Sequence, residues 1–486
     1  MQMMIPSGVN VLSFLREKGV FVPAHCGGAG ACGKCVIKVI AGSLPPSEYD
    51  KRLLSRQSIA DGARLACKAF TASPVRIEIN DHSAFNTPDI KWEQPDRSHT
   101  FGLAADIGTT TIAVSLVDIT AKRSIRTVSA ANAQGSFGAD VITRIGVSLS
   151  GEKAALRKAV TKSLADAVGR LDCASLELTK MTIAANTAMY HMLLGLDCTG
   201  IAKAPFEPAT LGGEQISLQA LLDDSAAPDI PVTLVKGISA FVGGDITSGL
   251  ACTPLAENTL LLDLGTNGEA VLFSGGRFIC SSAAAGPALE GGELSCGMGG
   301  VNGAVCRVYE HDGRLRFDTI GSAPPLGLCG SGAVDLLACC IDKGYVDKQG
   351  IFSDSYFENG FELASGVTLT QQDIRELQLA KAAIRACVDT LIYHAGKNYE
   401  DISQLIIAGG FGHFLDIKSA CKIGLIPNAL KCKARAVGNS SLKGAERSLY
   451  DERFFGRLDD IISRAETVEL SSDSGFKARF IENIGF

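Results

Sequence analysis

The chain has 486 residues, of which 46% are hydrophobic and 6% aromatic, with 53 glycines, 16 cysteines and a formal net charge of −6 at pH 7. This length predicts two to four compact units, and the weakly acidic balance without a dense Lys/Arg stripe argues against nucleic acid as a partner. The first residues lack the pattern of a secretory signal, and no apolar run approaches the roughly 18 residues of a membrane span, so we expect a cytoplasmic protein that binds no membrane.

Residues 1–80 form the first predicted domain, which carries clustered cysteines and ends in an alternating strand over residues 75–79. Residues 81–100 are polar, contain two prolines and lack apolar periodicity, so they predict an exposed linker. In a large cytoplasmic chain, cysteines indicate metal ligands or small buried side chains rather than disulfides.

Four cysteines of this domain have the spacing of a metal site: C-x5-C-x2-C followed by a distant fourth, at Cys26, Cys32, Cys35 and Cys67. The pattern resembles the plant-type 2Fe-2S ferredoxins, with one extra residue in the first interval as in adrenodoxin-like ferredoxins. The intervening glycines fit a loop that must turn its N–H groups toward sulfur. A four-cysteine zinc site is the alternative, but such sites usually show two C-x2-C knuckles and here there is one.

The resemblance implies a β-grasp ferredoxin-like domain. Such domains open with a full β-hairpin, whereas only about ten residues precede the apolar stretch 11–15. We therefore expect the first strand to be missing, which leaves an open sheet edge.

From Phe101 onward, apolar strands alternate with glycine-rich turns and helix-period stretches, as in α/β folds. The segments 103–110 (LAADIGTT) and 261–268 (LLDLGTNG) repeat one pattern: an apolar strand, an Asp, an apolar residue, Gly-Thr and a second strand. The repeat predicts two related lobes that face each other. We place lobe I at about 101–255, lobe II at about 256–450 and a C-terminal extension at 451–486.

These repeated turns are the predicted nucleotide site, because the chain has neither a P-loop nor a kinase glycine-rich loop. Each turn places an acid, Asp106 or Asp263, at a strand end to hold a magnesium-bound water, followed by groups that bind phosphate. The predicted phosphate-binding residues are Gly108, Thr109, Thr110, Gly265, Thr266, Asn267 and Gly268.

A third element follows at 405–412 (LIIAGGFG), where an apolar strand runs into small residues at a presumed helix start. There an adenosine can lie against the backbone of Gly409, Gly410 and Phe411. Asp245 is a candidate water-orienting acid between the lobes. An equally good interpretation makes Asp245 a carboxylate favoured by a helix N-terminus.

The three elements in this order resemble the acetate kinase, sugar kinase, Hsp70 and actin superfamily, which implies a two-lobed, duplicated ribonuclease H-like ATPase fold. Further segments resemble one branch more closely, the ATP-dependent reductive activators of corrinoid proteins. They are NAQGSFGADVITRI (132–145), AANTAMYHMLLG (184–195), SAAAGPALEGGELSCGMGG (282–300), GLCGSGAVDLL (327–337), LTQQDIRELQLAKAAIRA (369–386) and AGGFGHFLD (408–416).

This resemblance implies an ATP-hydrolysing enzyme of anaerobic methyltransferase systems that passes one electron from a 2Fe-2S cluster to Co(II) of a corrinoid protein, regenerating Co(I). Its cofactors would be the cluster, ATP and Mg. Its partners would be the corrinoid protein, a low-potential donor of the ferredoxin or flavodoxin type, and a second copy of the chain in a homodimer. The sequence does not identify the methyl donor or the electron donor.

Other functions stay open at this point. An activator of another low-potential metalloenzyme, such as a 2-hydroxyacyl-CoA dehydratase, would share the ATPase fold but bridge two subunits with a 4Fe-4S cluster. A small-molecule kinase with a regulatory cluster would need a substrate pocket that no motif indicates. A redox sensor without catalysis would not turn over ATP.

Several residues have no assigned role from sequence. His191 and His413 are candidates for cobalt ligation or proton transfer, although such histidines are more often hydrogen-bonded structural residues. Cys296 and Cys329 lack metal-ligand spacing and fit small buried side chains. Glu290, Glu293 and Met298 lie in a glycine-rich stretch that fits a loop contacting a partner.

Overall fold

A computed structural model describes residues 1–79 and 94–486. Most of the predicted linker, 81–100, lies outside the described residues. Its last part, 94–100, forms a turn without helix or strand, and there His99 Nδ1 lies 2.7 Å from Asp118 Oδ2.

The first domain is a four-stranded antiparallel sheet in the order β1-β4-β2-β3. One strand precedes the first helix and pairs directly with β4; that a further strand is missing stays a prediction. Asn10 caps the first helix by accepting a hydrogen bond from the Ser13 N–H. The elements are β1 (Gln2–Ile5), α1 (Val11–Glu17), β2 (Val36–Ala41), α2 (Glu48–Leu53), α3 (Arg56–Ala60), β3 (Ala63–Leu65) and β4 (Val75–Glu78).

The next unit contains a six-stranded sheet in the order β7-β6-β5-β8-β10-β9. Its central strand, β5, is buried along nearly its whole length, as expected for a strand covered on both faces. The elements are β5 (Phe101–Ile107), β6 (Thr111–Asp118), β7 (Arg123–Ala131), α4 (Val141–Val147), α5 (Lys153–Gly169), β8 (Leu178–Ala185), α6 (Thr187–Leu194), α7 (Thr199–Ala202), β9 (Gln215–Ser217), α8 (Leu218–Leu222), β10 (Pro231–Leu234) and α9 (Gly244–Cys252).

The last unit contains a second six-stranded sheet, in the order β20-β19-β11-β12-β13-β21, and two smaller sheets. Its longest helix begins with a capping box between Thr370 and Asp373. The elements are β11 (Thr259–Leu264), β12 (Asn267–Ser274), β13 (Arg277–Ala284), β14 (Ala304–His311), β15 (Arg314–Thr319), β16 (Gly327–Leu328), α10 (Gly330–Asp342), α11 (Asp354–Phe357), β17 (Phe361–Ala364), β18 (Val367–Leu369), α12 (Gln371–His394), β19 (Gln404–Ala408), α13 (Gly410–Phe414), α14 (Ile417–Lys422), β20 (Ala434–Gly438), α15 (Ser440–Ser448), α16 (Phe454–Ser463), β21 (Ala465–Thr467) and α17 (Phe476–Glu482).

The two large sheets share one topology. In each sheet, the first three strands form an antiparallel meander (β5 to β7, β11 to β13). Two later strands are then added in parallel beside the first strand of the meander (β8 and β10, β19 and β20). The predicted fold class, a ferredoxin-like domain followed by a duplicated two-lobed α/β ATPase fold, is confirmed by this topology.

The lobes meet through a shared apolar core and through helices α9 and α15. Ser248 on α9 donates a hydrogen bond to the Ser441 carbonyl at 2.8 Å, and a Cβ at Gly444 would lie 2.1 Å from the Ser248 carbonyl oxygen. Residues 451–486 also belong to this body, because β21 pairs in parallel with β13 and α17 packs on α12. Over residues 1–79 and 94–486, no helix is long and apolar enough to cross a bilayer.

Candidate cluster loop and nucleotide cleft

The four predicted cluster ligands lie together on the loop between α1 and β2 and on a short 3-10 turn before β4. The loop glycines Gly27, Gly28, Gly30 and Gly33 all have positive φ, between +64° and +104°, which residues with side chains rarely adopt. The Ala31 N–H points at the Cys26 sulfur over 3.4 Å. The loop therefore has the backbone that the sequence predicts for one wrapped around a cluster.

The thiols form two pairs. Cys35 donates to the Cys67 sulfur, which raises the pKa of Cys35 and lowers that of Cys67. Burial raises the pKa of Cys26, but hydrogen bonds from the backbone of Ala31 and Cys32 and from the Cys32 side chain outweigh it and bring that pKa to about 6. Two irons with two cysteines each would need such a division into pairs, so these residues fit a 2Fe-2S cluster.

The described side chains are not arranged as a ready site for a single metal ion. Within the described part of the chain, no three His, Cys, Asp or Glu side chains converge as ligands of a single metal ion. All sixteen cysteines are free thiols. Of the twelve outside the cluster loop, only Cys432 is exposed.

The cluster loop is docked against the first lobe. Arg16 on α1 donates from Nε to the Ser136 carbonyl at 2.9 Å and stacks over the Phe137 ring, with Cζ 4.4 Å from the ring centroid. Three backbone N–H groups cross the boundary: Val22 to Ser136 Oγ, Ala24 to the Gly135 carbonyl and Ala139 to the His25 carbonyl, each at 3.1 Å. From the second lobe, the Leu294 carbonyl accepts from Lys34 Nζ at 2.7 Å.

The two predicted phosphate turns face each other across the cleft. Each joins the first two strands of its sheet, β5 to β6 and β11 to β12, so the duplication places them at equivalent positions. The Thr110 and Thr266 hydroxyls lie 3.2 Å apart. Thr109 is also buried here, 3.4 Å from the Asn186 side-chain amide that caps α6.

Asp106 is held by the N-terminus of α15. Asn439, the cap of that helix, donates to Asp106 Oδ2 at 2.7 Å, and Ser441 donates to Oδ1 at 2.8 Å. Burial nevertheless raises the pKa of Asp106. A carboxylate so oriented can hold a cation-bound water at the cleft.

Further carboxyl groups share this buried space. Burial, with the Asp106 charge, raises the pKa of Asp245 to about 7. Burial, with the charges of Asp245, Asp106 and Glu290, raises that of Asp263 to about 8. The pKa of Glu269 is raised well above its ordinary value for the same reasons. A divalent cation would relieve this repulsion, and because no three acidic side chains of the described residues converge as direct ligands, they would hold it through its bound waters.

The position of Asp245 leaves both interpretations made from the sequence as predictions. The residue lies in the first turn of α9, where its Oδ1 accepts from the Ile246 N–H at 2.8 Å. The same position brings it within the electrostatic reach of Asp106 and Asp263.

The predicted adenosine segment lies beside the second phosphate turn, because β19 pairs in parallel with β11 and Ala408 stands opposite Asp263. Gly409 has a φ of +91°, and a Cβ there would lie 2.8 Å from Asp263 Oδ1, so only glycine fits. Gly410 begins α13, and the Phe411 ring lies against Gly330 at the start of α10. The predicted nucleotide residues from all three segments are thus gathered at one cleft.

His191 is a structural residue. Its Nδ1 donates to the Thr187 carbonyl at 2.8 Å and its Nε2 accepts from the Ala209 N–H at 3.0 Å. Both nitrogens are therefore engaged in the fold, and burial lowers its pKa. The His413 side chain lies outside what the structure describes. Cys296 and Cys329 donate to the carbonyls of Thr368 and Val305.

Glu290 is the main residue whose place the sequence did not indicate. It was expected with Glu293 and Met298 in a loop for partner contact, but its Oε2 accepts from Thr110 at 2.9 Å and from Thr266 at 2.5 Å. Asn439, Ser441 and Glu269 were missed because they lie outside the recognised turns. The single Asp of each repeat was visible in the sequence, but the start of helix α15, which holds Asp106, was not.

Three family models match the chain. A 2Fe-2S iron-sulfur cluster binding domain matches residues 2–71, the RACo middle region matches 101–258, and the C-terminal ASKHA domain of RACo matches 257–486. The corrinoid activation enzyme RamQ of Eubacterium limosum is 31% identical over 422 residues, which are 79% of this chain and 70% of that protein. The chain belongs to the RACo family.

Other members support this RACo-family assignment. The reductase of the Co(II) methylated amine-specific corrinoid protein of Methanosarcina barkeri is 24% identical over 402 residues, covering 76% of this chain and 73% of its own. The solved structure of a reductive activator for a corrinoid, iron-sulfur protein aligns with 99% of this chain and 96% of that chain, at 29% identity and a TM-score of 0.73. The predicted family resemblance is confirmed.

Proposed function

We propose that this RACo-family protein reactivates a corrinoid protein by ATP-dependent reduction of its cobalt from Co(II) to Co(I). The observation that carries the proposal is the direct contact between a four-cysteine ferredoxin loop and the lobe that bears the first phosphate turn. This contact joins the domain that carries the electron to the lobe that binds nucleotide. The family membership supports the choice of partner.

The reaction needs an energy source because plant-type 2Fe-2S clusters have potentials near about −400 mV, and the Co(II)/Co(I) couple lies lower still. A nucleotide shifts such an equilibrium only by binding two conformations with different affinity. The facing turns at Thr110 and Thr266, one on each lobe, supply a cleft at which a nucleotide can favour one arrangement of the lobes over another.

Within this proposal, the cysteines, the cleft carboxylates, the two turns and the Gly409 segment each have one role. Cys26, Cys32, Cys35 and Cys67 hold the cluster, which when bound supplies the single electron for cobalt. Asp106 and Asp263 organise Mg²⁺ and the hydrolytic water, and Asp245 orients that water. The two turns, Gly108 to Thr110 and Gly265 to Gly268, bind phosphates, and the Gly409 segment binds adenosine.

Two further partners belong to the proposal. An external low-potential donor, of the ferredoxin or flavodoxin type, reduces the cluster again after the cluster has given its electron to cobalt. A second copy of the chain forms a homodimer, as is common for such enzymes. A cytoplasmic location remains an expectation from the sequence.

The test is an anaerobic assay with a Co(II) corrinoid protein, a low-potential reductant and Mg-ATP, followed by the visible absorption of Co(I). We expect Co(I) only when ATP is present. Cys35→Ser should abolish cluster absorption and Co(I) formation, whereas Cys432→Ser, at an exposed cysteine far from the loop in sequence, should keep both.

Different outcomes separate the alternatives. A normal cluster without ATP-dependent Co(I) for any corrinoid protein would reject the proposed partner and favour an activator of another metalloenzyme. A phosphorylated small molecule as product would favour a kinase, and the absence of ATP turnover would favour a redox sensor.

A further inference from the structure

The cluster loop has one flank covered by the ATPase lobes and one open flank. On the covered flank, a Cβ at Gly27 would lie 3.0 Å from the Phe137 carbonyl oxygen, and Lys34 Nζ donates to a carbonyl of the second lobe at 2.7 Å. On the open flank, Ala29 and Ala31 are exposed. In this arrangement of the domains, a protein that exchanges electrons with the cluster therefore meets the loop around these two alanines.

Three side chains of the ferredoxin domain frame the open flank: Tyr49, Arg52 and Lys68. They pack on Gly30, the residue between the two exposed alanines, where a Cβ would lie 2.8 Å from Tyr49 Cδ1 and closer still to Lys68 Cε. Arg52 donates from Nη2 to the Gly30 carbonyl at 2.9 Å. Gly30 is buried, although its neighbours in the chain are exposed. The three side chains are thus fixed directly to the cluster loop.

The two cations of this flank lie over the same aromatic ring. Arg52 Cζ is 5.1 Å and Lys68 Nζ 4.9 Å from the centroid of Tyr49, which is 38% exposed. Cation–π contacts hold the charges in place without neutralising them. Over residues 1–79 and 94–486, neither cation forms an ion pair, whereas the adjacent Lys51 pairs with Glu48 at 2.6 Å. Tyrosine and arginine together are typical of the residues that contribute most to protein–protein binding.

The ferredoxin domain as a whole is positive. Residues 1–79 hold ten Lys or Arg and five Asp or Glu, a net charge of +5, whereas the whole chain carries −6, so the remaining residues carry −11. Two ferric ions, two sulfides and four thiolates would add about −2, which leaves the domain positive. Such an asymmetry attracts an acidic partner to the ferredoxin domain and repels it from the rest of the chain.

We infer that the flank formed by Tyr49, Arg52 and Lys68 is the site at which an acidic, low-potential electron-carrier protein docks to reduce the cluster. The carrier is oxidised by one electron, the cluster is reduced by one, and no bond between the proteins forms or breaks. All three residues belong to the ferredoxin domain, so this route of entry does not depend on how the lobes are arranged. The inference rests on the electron-transfer part of the proposed function but not on the corrinoid partner.

The test measures how fast reduced flavodoxin, an acidic flavoprotein, reduces the oxidised cluster of the full chain in anaerobic stopped-flow absorption. We expect the second-order rate constant to fall about tenfold or more as ionic strength rises from low to physiological values, because salt screens the attraction. Arg52→Gln and Lys68→Gln should each lower the rate constant at low ionic strength about threefold or more, whereas Arg52→Lys, which keeps the charge, should retain most of it.

Two controls separate docking from damage to the cluster. Arg76 is also an exposed cation of the ferredoxin domain, but on β4 it stands opposite Ala41, at the end of β2 remote from the cluster loop. Arg76→Gln should therefore react with flavodoxin like the unaltered protein. Reduced methyl viologen is a small cation, so it should reduce Arg52→Gln and Lys68→Gln at least as fast as the unaltered protein.

The inference is overturned if the rate constant does not depend on ionic strength and the double variant Arg52→Gln/Lys68→Gln reacts with flavodoxin at the unaltered rate. It is also overturned if Arg76→Gln slows the reaction equally. A double variant that keeps the flavodoxin rate but loses Co(I) formation would assign the flank to the corrinoid protein instead. Normal, salt-dependent reduction without Co(I) formation in the unaltered protein would reject the corrinoid partner and still support the docking site.

Discussion

Five carboxyl groups share the nucleotide cleft: Asp106, Asp245, Asp263, Glu269 and Glu290. Burial raises the pKa of each of them, and repulsion by neighbouring carboxylates raises it further at Asp245, Asp263 and Glu269. The cleft without a cation therefore keeps part of this set protonated near neutral pH, and a divalent cation must displace those protons when it binds.

Proton release should accompany the binding of Mg²⁺-nucleotide. The pKa values of Asp245 and Asp263, about 7 and about 8, mean that binding strengthens as pH rises through this range and levels off above it. At pH 7 we expect the release of about one proton, measured by calorimetry in buffers of different ionisation enthalpy. Asp263→Asn should remove most of the release and weaken binding, whereas Asp312→Asn, at an exposed site, should change neither. Equal release by Asp263→Asn would contradict the assignment.

The sequence predicted these residues unevenly. Asp106, Asp263 and the threonines follow strands in a repeated pattern, and that pattern locates them without knowledge of the fold. Glu290, Asn439 and Ser441 reach the cleft from loops and helix starts that are distant in sequence, and no local period records such a contact. Asp245 was predicted as an acid between the lobes, but its sequence context fitted a structural carboxylate at a helix N-terminus equally well.

Helices α9 and α15 form a closely packed contact between the lobes, since they cross where both have small residues. A Cβ at Gly249 would lie 2.5 Å from Ser440 Oγ, and one at Gly444 would lie 2.1 Å from the Ser248 carbonyl oxygen. Packing this close lets helices slide by small distances without opening a gap, as in shear motions. Because Asn439 caps α15 and holds Asp106, such sliding acts directly on the cleft.

Gly444→Ala should separate the two helices. We expect a loss of about 1–3 kcal/mol in the free energy of unfolding, because the methyl group meets backbone that cannot move aside. We also expect weaker nucleotide binding, through the shift of Asn439. Gly456→Ala is the matched control: no atom lies within 4 Å of the added methyl on α16, so stability should hold or rise slightly. Urea unfolding measures the stability of both variants, and nucleotide titration measures their affinity.

At the level of elements, the duplicated strands were predictable because apolar runs and Gly-Thr turns recur. The last 36 residues were predicted only as an extension. In the structure, β21 completes the second sheet and α17 packs on α12. Strand β21 has three residues, too short for a periodic signal, and its pairing depends on a partner almost two hundred residues earlier.

At the scale of the whole molecule, the ferredoxin domain and the ATPase lobes form one docked assembly. Arg16 donates from Nε to the Ser136 carbonyl of the first lobe at 2.9 Å and also to the Gly27 carbonyl of its own domain at 3.1 Å. Its charge also acts on Cys35, Cys67 and Cys26. One residue therefore affects both the docking and the electrostatics of the cluster ligands.

Arg16→Gln should loosen the assembly and alter the electron carrier together. We expect a larger radius of gyration in solution scattering, since the bonds to Ser136 and the stacking on Phe137 are lost. We also expect a more negative cluster potential in a redox titration, because a nearby positive charge favours the reduced state. Arg56→Gln, at an exposed position on α3, should leave both unchanged. A shifted potential with unchanged scattering would show that docking does not depend on Arg16.

The cluster loop also determines how long a stored electron survives in the idle protein. On one flank, a Cβ at Gly27 would lie 3.0 Å from the Phe137 carbonyl oxygen, so lobe and loop leave no room for a solute between them. On the other flank, Ala29 and Ala31 are exposed beside Cys26 and Cys32. Oxygen and other stray oxidants therefore reach the sulfur ligands from that second flank. The rate at which the reduced protein loses its electron in air is then set by a surface that docking leaves open, and undocking adds a second route of loss.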